Sequence, residues 1–310
     1  MIEFSNIRQV FLDMDDTIYK GTYLFPCTKP FLAFLREQNV GYAFLSNNSS
    51  YSIMEYVKRL ANMGVEVTEE NFYNSTLYCI DYLHRNHPEF KKLYLLGMSS
   101  IVPEFEAAGF EITEDDPDAV IIAFDRSLTY DRLCRASWFV KQGVPSFATH
   151  PDVVCPTDQP TWLVDCGAIT KCIEHSTGKT LKVLGKPDPG ILQLGAARFG
   201  ATAQEVLMVG DRLATDVAVG RNAGAWSCHI SPGCDYSDTP ENLRPHLTCR
   251  DLGELHTLWK ESLERSLKEV NSHFGLNISA KFVYLEKIEQ ESSGSEDDII
   301  RRMNEWDYQS

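Results

Sequence analysis

The stretch Phe11-Leu12-Asp13-Met14-Asp15-Asp16-Thr17 joins the chain's fold to its chemistry. Val10-Phe11-Leu12 is a short apolar run of the kind that forms a buried strand, and three carboxylates follow it at once. In a parallel sheet the carboxyl ends of the strands open onto the ligand crevice. Asp13 and Asp15 point the same way if the strand continues, and a turn there would also let them converge. Like charges held close need a cation or a shared proton, and a hard divalent ion such as Mg²⁺, bound through oxygen, meets that need. Taken alone, an acidic turn after a strand is ordinary.

The surrounding pattern repeats the arrangement. Tyr42–Leu45, Leu93–Leu96, Ala119–Ala123, Val183-Leu184 and Val206–Val209 read as further buried strands. Between them lie helical patterns such as Ser52–Met63, stopped by Gly64, and Ile191–Phe199, stopped by Gly200. Asp188-Pro189 marks a helix start with a cap and a first-turn proline, and Thr129 marks another. Short apolar strands alternating with helices predict an α/β fold, a doubly wound parallel sheet covered on both faces.

Three more polar clusters stand at predicted strand ends. Leu45-Ser46-Asn47-Asn48-Ser49 offers hydroxyls and amides before a helix, a setting suited to phosphate, although Ser49 or Ser50 also reads simply as a helix cap. Gly185-Lys186-Pro187-Asp188-Pro189 supplies a positive charge for a phosphate or for the acidic cluster. Gly210-Asp211-Arg212-Leu213-Ala214-Thr215-Asp216 again puts carboxylates after an apolar strand, Asp211 as a metal ligand and Asp216 as its support or as a partner for Lys186.

In this order, the four motifs Asp13-x-Asp15-x-Thr17, Ser46-Asn47, Lys186 and Gly210-Asp211 with Asp216 resemble the haloacid dehalogenase superfamily of phosphatases. Leu45–Ser49, Thr149-His150-Pro151-Asp152, Gly185-Lys186-Pro187 and the segment 210–216 make the chain most similar to its NagD or p-nitrophenyl-phosphatase-like branch, class IIA, over about residues 8 to 257. Ala214 departs from the larger or polar residue common in relatives, which touches the surroundings of the site and not its chemistry. The resemblance implies a Rossmann-like core with an inserted α/β cap.

The resemblance also implies roles. Asp13 is the nucleophile that forms an aspartyl-phosphate, and Asp15 is the acid and base. Mg²⁺ is held by Asp13, Asp15 (through its backbone carbonyl) and Asp211. Ser46, Asn47, Asn48 and Lys186 hold phosphate or substrate, while Thr17 and Asp216 support them. An acid two residues after the nucleophile favours a phosphatase over the family's dehalogenases and transport ATPases. Transfer to an acceptor other than water, or a silent ligand-binding protein with the same fold, stay open as alternatives.

Too few residues separate Asp13 from Pro30 for a domain between them, whereas more than a hundred separate Ser49 from Lys186. The expected layout is a discontinuous core at 1–77 and 182–260, a cap at 78–181, and an appendage at 261–310. That appendage contains a charged link at 291–298 and a short helix at 299–306. Within the cap, Asp125, Arg126 and Asp165 are candidate substrate contacts that read at least as well as salt bridges or helix caps. Phe124 and Trp162 read as packing more readily than as pocket lining. His150 and His175 have no partner at ligand spacing.

Composition narrows the partners. The 310 residues carry 29 Lys and Arg against 44 Asp and Glu, a net charge of −15 that argues against nucleic acid or an anionic membrane surface. No apolar run approaches the roughly 20 residues a bilayer span requires, and the acidic N-terminus is unlike a secretory signal. Nine cysteines without a Cys-x-x-Cys pair point to reduced thiols in a cytoplasmic protein. The expected ligand is a small phosphorylated metabolite. Homo-oligomers paired cap to cap or core to core are both open.

Overall fold

The computed structural model describes residues 2–157 and 160–274. The chain begins with β1 (Gln9–Leu12), a small hairpin of β2 (Tyr19–Lys20) and β3 (Tyr23–Leu24), α1 (Thr28–Glu37), β4 (Gly41–Phe44), α2 (Ile53–Asn62) and α3 (Ser75–Asn86). A second run follows with β5 (Lys92–Leu96), α4 (Val102–Ala107), β6 (Glu111–Ile112), β7 (Ala119–Ile122), α5 (Tyr130–Gln142) and β8 (Ser146–Ala148). It continues through a hairpin of β9 (Val154–Pro156) and β10 (Trp162–Val164), then α6 (Cys166–Thr177) and β11 (Lys182–Val183). The last run is α7 (Pro189–Arg198), β12 (Val206–Gly210), α8 (Ala218–Ala223), β13 (Trp226–Ile230), β14 (Leu247–Cys249) and α9 (Leu252–Phe274).

Two five-stranded sheets result, ordered β14-β13-β12-β1-β4 and β11-β8-β7-β5-β6, and every pairing in both is parallel. The strands are buried on both faces, as a parallel sheet requires. Alternation along β1 sends Val10 and Leu12 into a layer with Phe31, Tyr56 and Trp259, under α1, α2 and α9. Phe11 points the other way, into a layer with Tyr78, Leu83 and Ile191.

That second layer also contains Leu93 and Ile121 from the cap sheet, so one apolar core is shared by both sheets. Here the structure departs from the expected boundaries. Residue 78 falls inside α3, whose buried face serves both sheets. Val183, expected as part of a core strand, lies in β11 and pairs with Ala148 of the cap sheet. At the far end, α9 runs unbroken past residue 260, and Leu267 is still buried. A helix ends where its apolar stripe ends, and that stripe extends beyond the motif-bearing region. The link at 291–298 and the helix expected at 299–306 lie outside the described residues.

Candidate active site

The amide of Asp13 continues the β1–β12 ladder by donating to the Val209 carbonyl at 2.8 Å. The chain then turns sharply: the amides of Thr17 and Ile18 donate to the Met14 carbonyl, and Asp16 takes the left-handed φ of 56° that Asp tolerates. The turn buries Met14 in the apolar layer and leaves Asp15 at the solvent rim. A turn, and not a continued strand, therefore follows Asp13.

Lys186 is the hub. Only 2% exposed, its Nζ donates to Asp13 Oδ1 at 2.6 Å, to Asp216 Oδ1 at 2.7 Å and to the Leu45 carbonyl at 3.0 Å. All three ammonium hydrogens are thus engaged. Burial pulls this amine's pKa down, but Asp13 and Asp216 outweigh burial and hold it charged. Asp216 reaches the hub from a π-helical turn at Leu213–Val217, and its second oxygen accepts the Arg212 amide at 3.0 Å. Gly210 makes this possible, because a Cβ there would collide with the Asp216 carboxyl.

The carboxylates outnumber the cations available to them. Burial pushes Asp13 up to about 8 against the pull of Lys186. It pushes Asp211 up to about 6, with Asp216 adding to the rise, and raises Asp15 in spite of Arg59. Asp211 Oδ1 is buried with no hydrogen-bond partner among the described residues. Ligand atoms of Asp13, Asp211 and Asp216 lie within 4.8 Å of one another, so the donor set fits a hard divalent cation. Asp216 already spends both oxygens on Lys186 and Arg212, which leaves Asp13 and Asp211 as the better ligands.

The loop after β4 differs in detail from expectation. Ser52, not Ser49 or Ser50, caps α2, in a reciprocal capping box with Glu55. Ser49 is buried and bridges to the cap, pairing with Thr149 Oγ1 at 3.0 Å and accepting the Phe124 amide at 2.9 Å. Ser46 Oγ accepts the Asn48 amide, and Asn48 turns its own Oδ1 to Ser50. Asn47 Nδ2 donates to the Lys186 carbonyl at 2.9 Å and to Asp152 Oδ2 at 3.2 Å, while its Oδ1 accepts the Lys186 amide at 2.7 Å. Both hydrogens of that amide are taken. Thr17 Oγ1 is buried without a partner among the described residues.

In the cap, Asp125 is bound by Arg132 at 2.6 Å and by Ser127, and Asp165 caps α6. Arg126 crosses to the core, where it donates to Tyr51 Oη at 2.9 Å. Phe124 is buried in packing and Trp162 is exposed on its hairpin. His150, expected to lack partners, lies between Asp152 and Asp165, each 3.5 Å from one of its ring nitrogens. Sequence reading also missed His229, whose Nε2 lies 2.8 Å from the Asp211 carbonyl, and Arg59, stacked on Tyr19 near Asp15. Neither residue carries a local signal. Each reaches the site from a separate element.

Comparison with known proteins gives the family. Residues 10–111 match the model of the haloacid dehalogenase-like hydrolases, and residues 183–255 match a second model of HAD-hydrolase-like sequences. An acid sugar phosphatase of Staphylococcus aureus is 30% identical over 246 residues, covering 78% of this chain and 94% of the relative. The ribonucleotide monophosphatase NagD of Escherichia coli is 30% identical over 237 residues, covering 76% and 92%. The crystal structure of a 4-nitrophenylphosphatase from Thermotoga maritima superposes with a TM-score of 0.76 at 36% identity, over 83% of this chain and 99% of that one.

Fold and site together define a phosphatase built on a Rossmann-like core with an inserted α/β cap. The chain belongs to the haloacid dehalogenase-like hydrolases, in their NagD and p-nitrophenyl-phosphatase-like group.

Proposed function

We propose that this chain is a Mg²⁺-dependent phosphomonoester hydrolase of small phosphorylated metabolites. The observation that carries the reading is the Lys186 ammonium shared by Asp13 and Asp216, beside an Asp211 carboxylate with an unused buried oxygen. Asp13 and Asp211 would hold Mg²⁺, which when bound supplies positive charge against the phosphate and the carboxylates.

The reaction follows from the chain's own groups. A carboxylate oxygen of Asp13 attacks phosphorus, the bond to the leaving oxygen breaks, and an aspartyl-phosphate forms. Asp15 gives its proton to that leaving oxygen. It then takes a proton from water, whose oxygen attacks phosphorus and releases Asp13 and inorganic phosphate. The raised pKa of Asp15, caused by burial at the rim, suits both duties. As Asp13 becomes esterified its hold on Lys186 weakens, which frees one N–H for a phosphoryl oxygen beside Ser46. Asn47 has no donor left for phosphate, so its part is to fix Lys186.

The named relatives act on sugar phosphates and ribonucleotide monophosphates, which supports a small phosphorylated metabolite as substrate. Arg126 of the cap bonds Tyr51, and Ser49 of the core pairs with Thr149, so the cap is tied to the loop that bears Ser46 and Asn47. The test is turnover of p-nitrophenyl phosphate with and without Mg²⁺, beside Asp13→Asn, followed by a panel of sugar phosphates, nucleoside monophosphates and phosphoglycolate. Metal-dependent release of phosphate that is lost in D13N supports the reading. No turnover on any ester rejects it, and a new phosphoester with added alcohol would make the chain a phosphotransferase.

A further inference from the structure

His150 is fully buried, and neither ring nitrogen has a hydrogen bond among the described residues. Leaving a buried polar atom unsatisfied costs roughly 1–3 kcal/mol, so what stands beside each nitrogen matters. Nδ1 stands 3.5 Å from Asp152 Oδ2, and Nε2 stands 3.5 Å from Asp165 Oδ1. A carboxylate only accepts, so the ring is the one member of this trio that can donate.

The two carboxylates lead to different places. Asp165 caps α6 in the cap through the Cys166 amide at 2.6 Å. Asp152 accepts from Asn47 Nδ2, and because it can only accept, it forces the Asn47 oxygen toward the Lys186 amide. The loop is tightly seated. A Cβ on Gly185, whose φ is 76°, would stand 2.9 Å from His150 Cβ and 2.7 Å from the Thr149 carbonyl, and one on Gly167 would strike the Pro151 carbonyl. Arg212 and Lys186 are the other charges acting on Asp152, and Arg212 also acts on Asp165.

We propose that His150 is a positioning residue whose ring, set between Asp152 of the interdomain loop and Asp165 of α6, holds the Asp152–Asn47–Lys186 chain and so aims Lys186 at the phosphoryl group. The inference deepens the phosphatase reading and rests on it for the role of Lys186.

The test is a double-mutant cycle between His150→Gln and Asn47→Ala, read as kcat/KM on p-nitrophenyl phosphate and as the inhibition constant of inorganic phosphate. H150Q is expected to lower kcat/KM by about 10- to 100-fold, to weaken phosphate by a similar factor, and to add less than about twofold in the N47A background. Additive losses, or full activity in folded H150Q, overturn the proposal. Should H150Q fail to fold, Asp165→Asn probes the far side of the ring and must show the same coupling to N47A. A stoichiometric transition metal lost in H150Q also overturns it. If the wild type turns over no ester, the phosphatase reading fails separately. The same cycle measured as phosphate affinity by calorimetry then decides the role of His150.

Discussion

Lys186 Nζ lies 2.6 Å from Asp13 Oδ1, joining positions 173 residues apart, and every other polar contact of the site is arranged around that pair. The nucleophile proposed for the reaction and the cation that would neutralise its target arrive from the two core segments on either side of the cap. Their meeting depends on the whole fold.

Replacing Lys186 with Met should cost both activity and stability. Asp13 and Asp216 would be left buried without their cation, a loss of roughly 3–5 kcal/mol. Turnover should fall at least about a thousandfold, because positive charge at the transferring phosphoryl is lost. Urea unfolding and p-nitrophenyl phosphate assays of K186M check this, and wild-type stability in the variant would contradict the ion-pair account.

Metal affinity should depend on pH with a defined sign. A divalent cation takes ionised carboxylates, while burial in the metal-free site raises the pKa of Asp13 and lifts that of Asp211 to about 6. Acidification from pH 8 to pH 6 should therefore weaken Mg²⁺, by at most about tenfold per unit for each proton released. Calorimetry in buffers of different ionisation enthalpy measures those protons, and a dissociation constant unchanged over the range would refute the linkage.

Glu104 of the cap grips the core by accepting the Ile53 amide, at the start of α2, at 2.6 Å, while its Oε2 stays buried without a partner among the described residues. Burial pushes its carboxyl from 4.5 up to about 7, against the pull of the Ile53 amide. With the folded value above the unfolded one, its contribution to stability is intact below about 4.5 and is lost as pH rises through about 7. Glu104→Gln should match the wild type near pH 5 and exceed it at pH 8 by on the order of 2 kcal/mol. Thermal unfolding at the two pH values decides it; a variant less stable at pH 8 would show that the anion stabilises the clasp.

Gly210→Ala should disturb the hub without touching a charged residue. The added methyl collides with the Asp216 carboxyl, which must move away from Lys186 and the Arg212 amide. A loss of about 1–3 kcal/mol is expected from overpacking, together with a fall in kcat larger than any change in KM. Unchanged kinetics would mean that Asp216 tolerates displacement.

Much of this site was legible residue by residue. An apolar run followed by Asp, or by Gly-Asp, is a local signal, and four such strand ends in a fixed order identified Asp13, Lys186, Asp211 and Asp216. The structure brings all four together. The turn at Asp16 was legible only as one of two options, since strand continuation and reversal share the same local pattern. Asn47 was expected on phosphate, and its amide is instead committed to Lys186 and Asp152. His150 stood in the motif Thr149–Asp152 with no role assigned, because its second carboxylate, Asp165, comes to it through the packing of α6.

The sequence by itself determined the alternation of strands and helices, the place of the cap between the second and third motifs, and the residue types of the catalytic set. Those depend on hydrophobic period and short-range order, which a chain carries in its primary structure. Tertiary structure alone decided which polar atoms are already spent, where one apolar core spans both sheets, and which carboxylates lack a cation. These depend on burial and on contacts between residues a hundred or more positions apart, such as Asn47 with Lys186, and no local pattern encodes them.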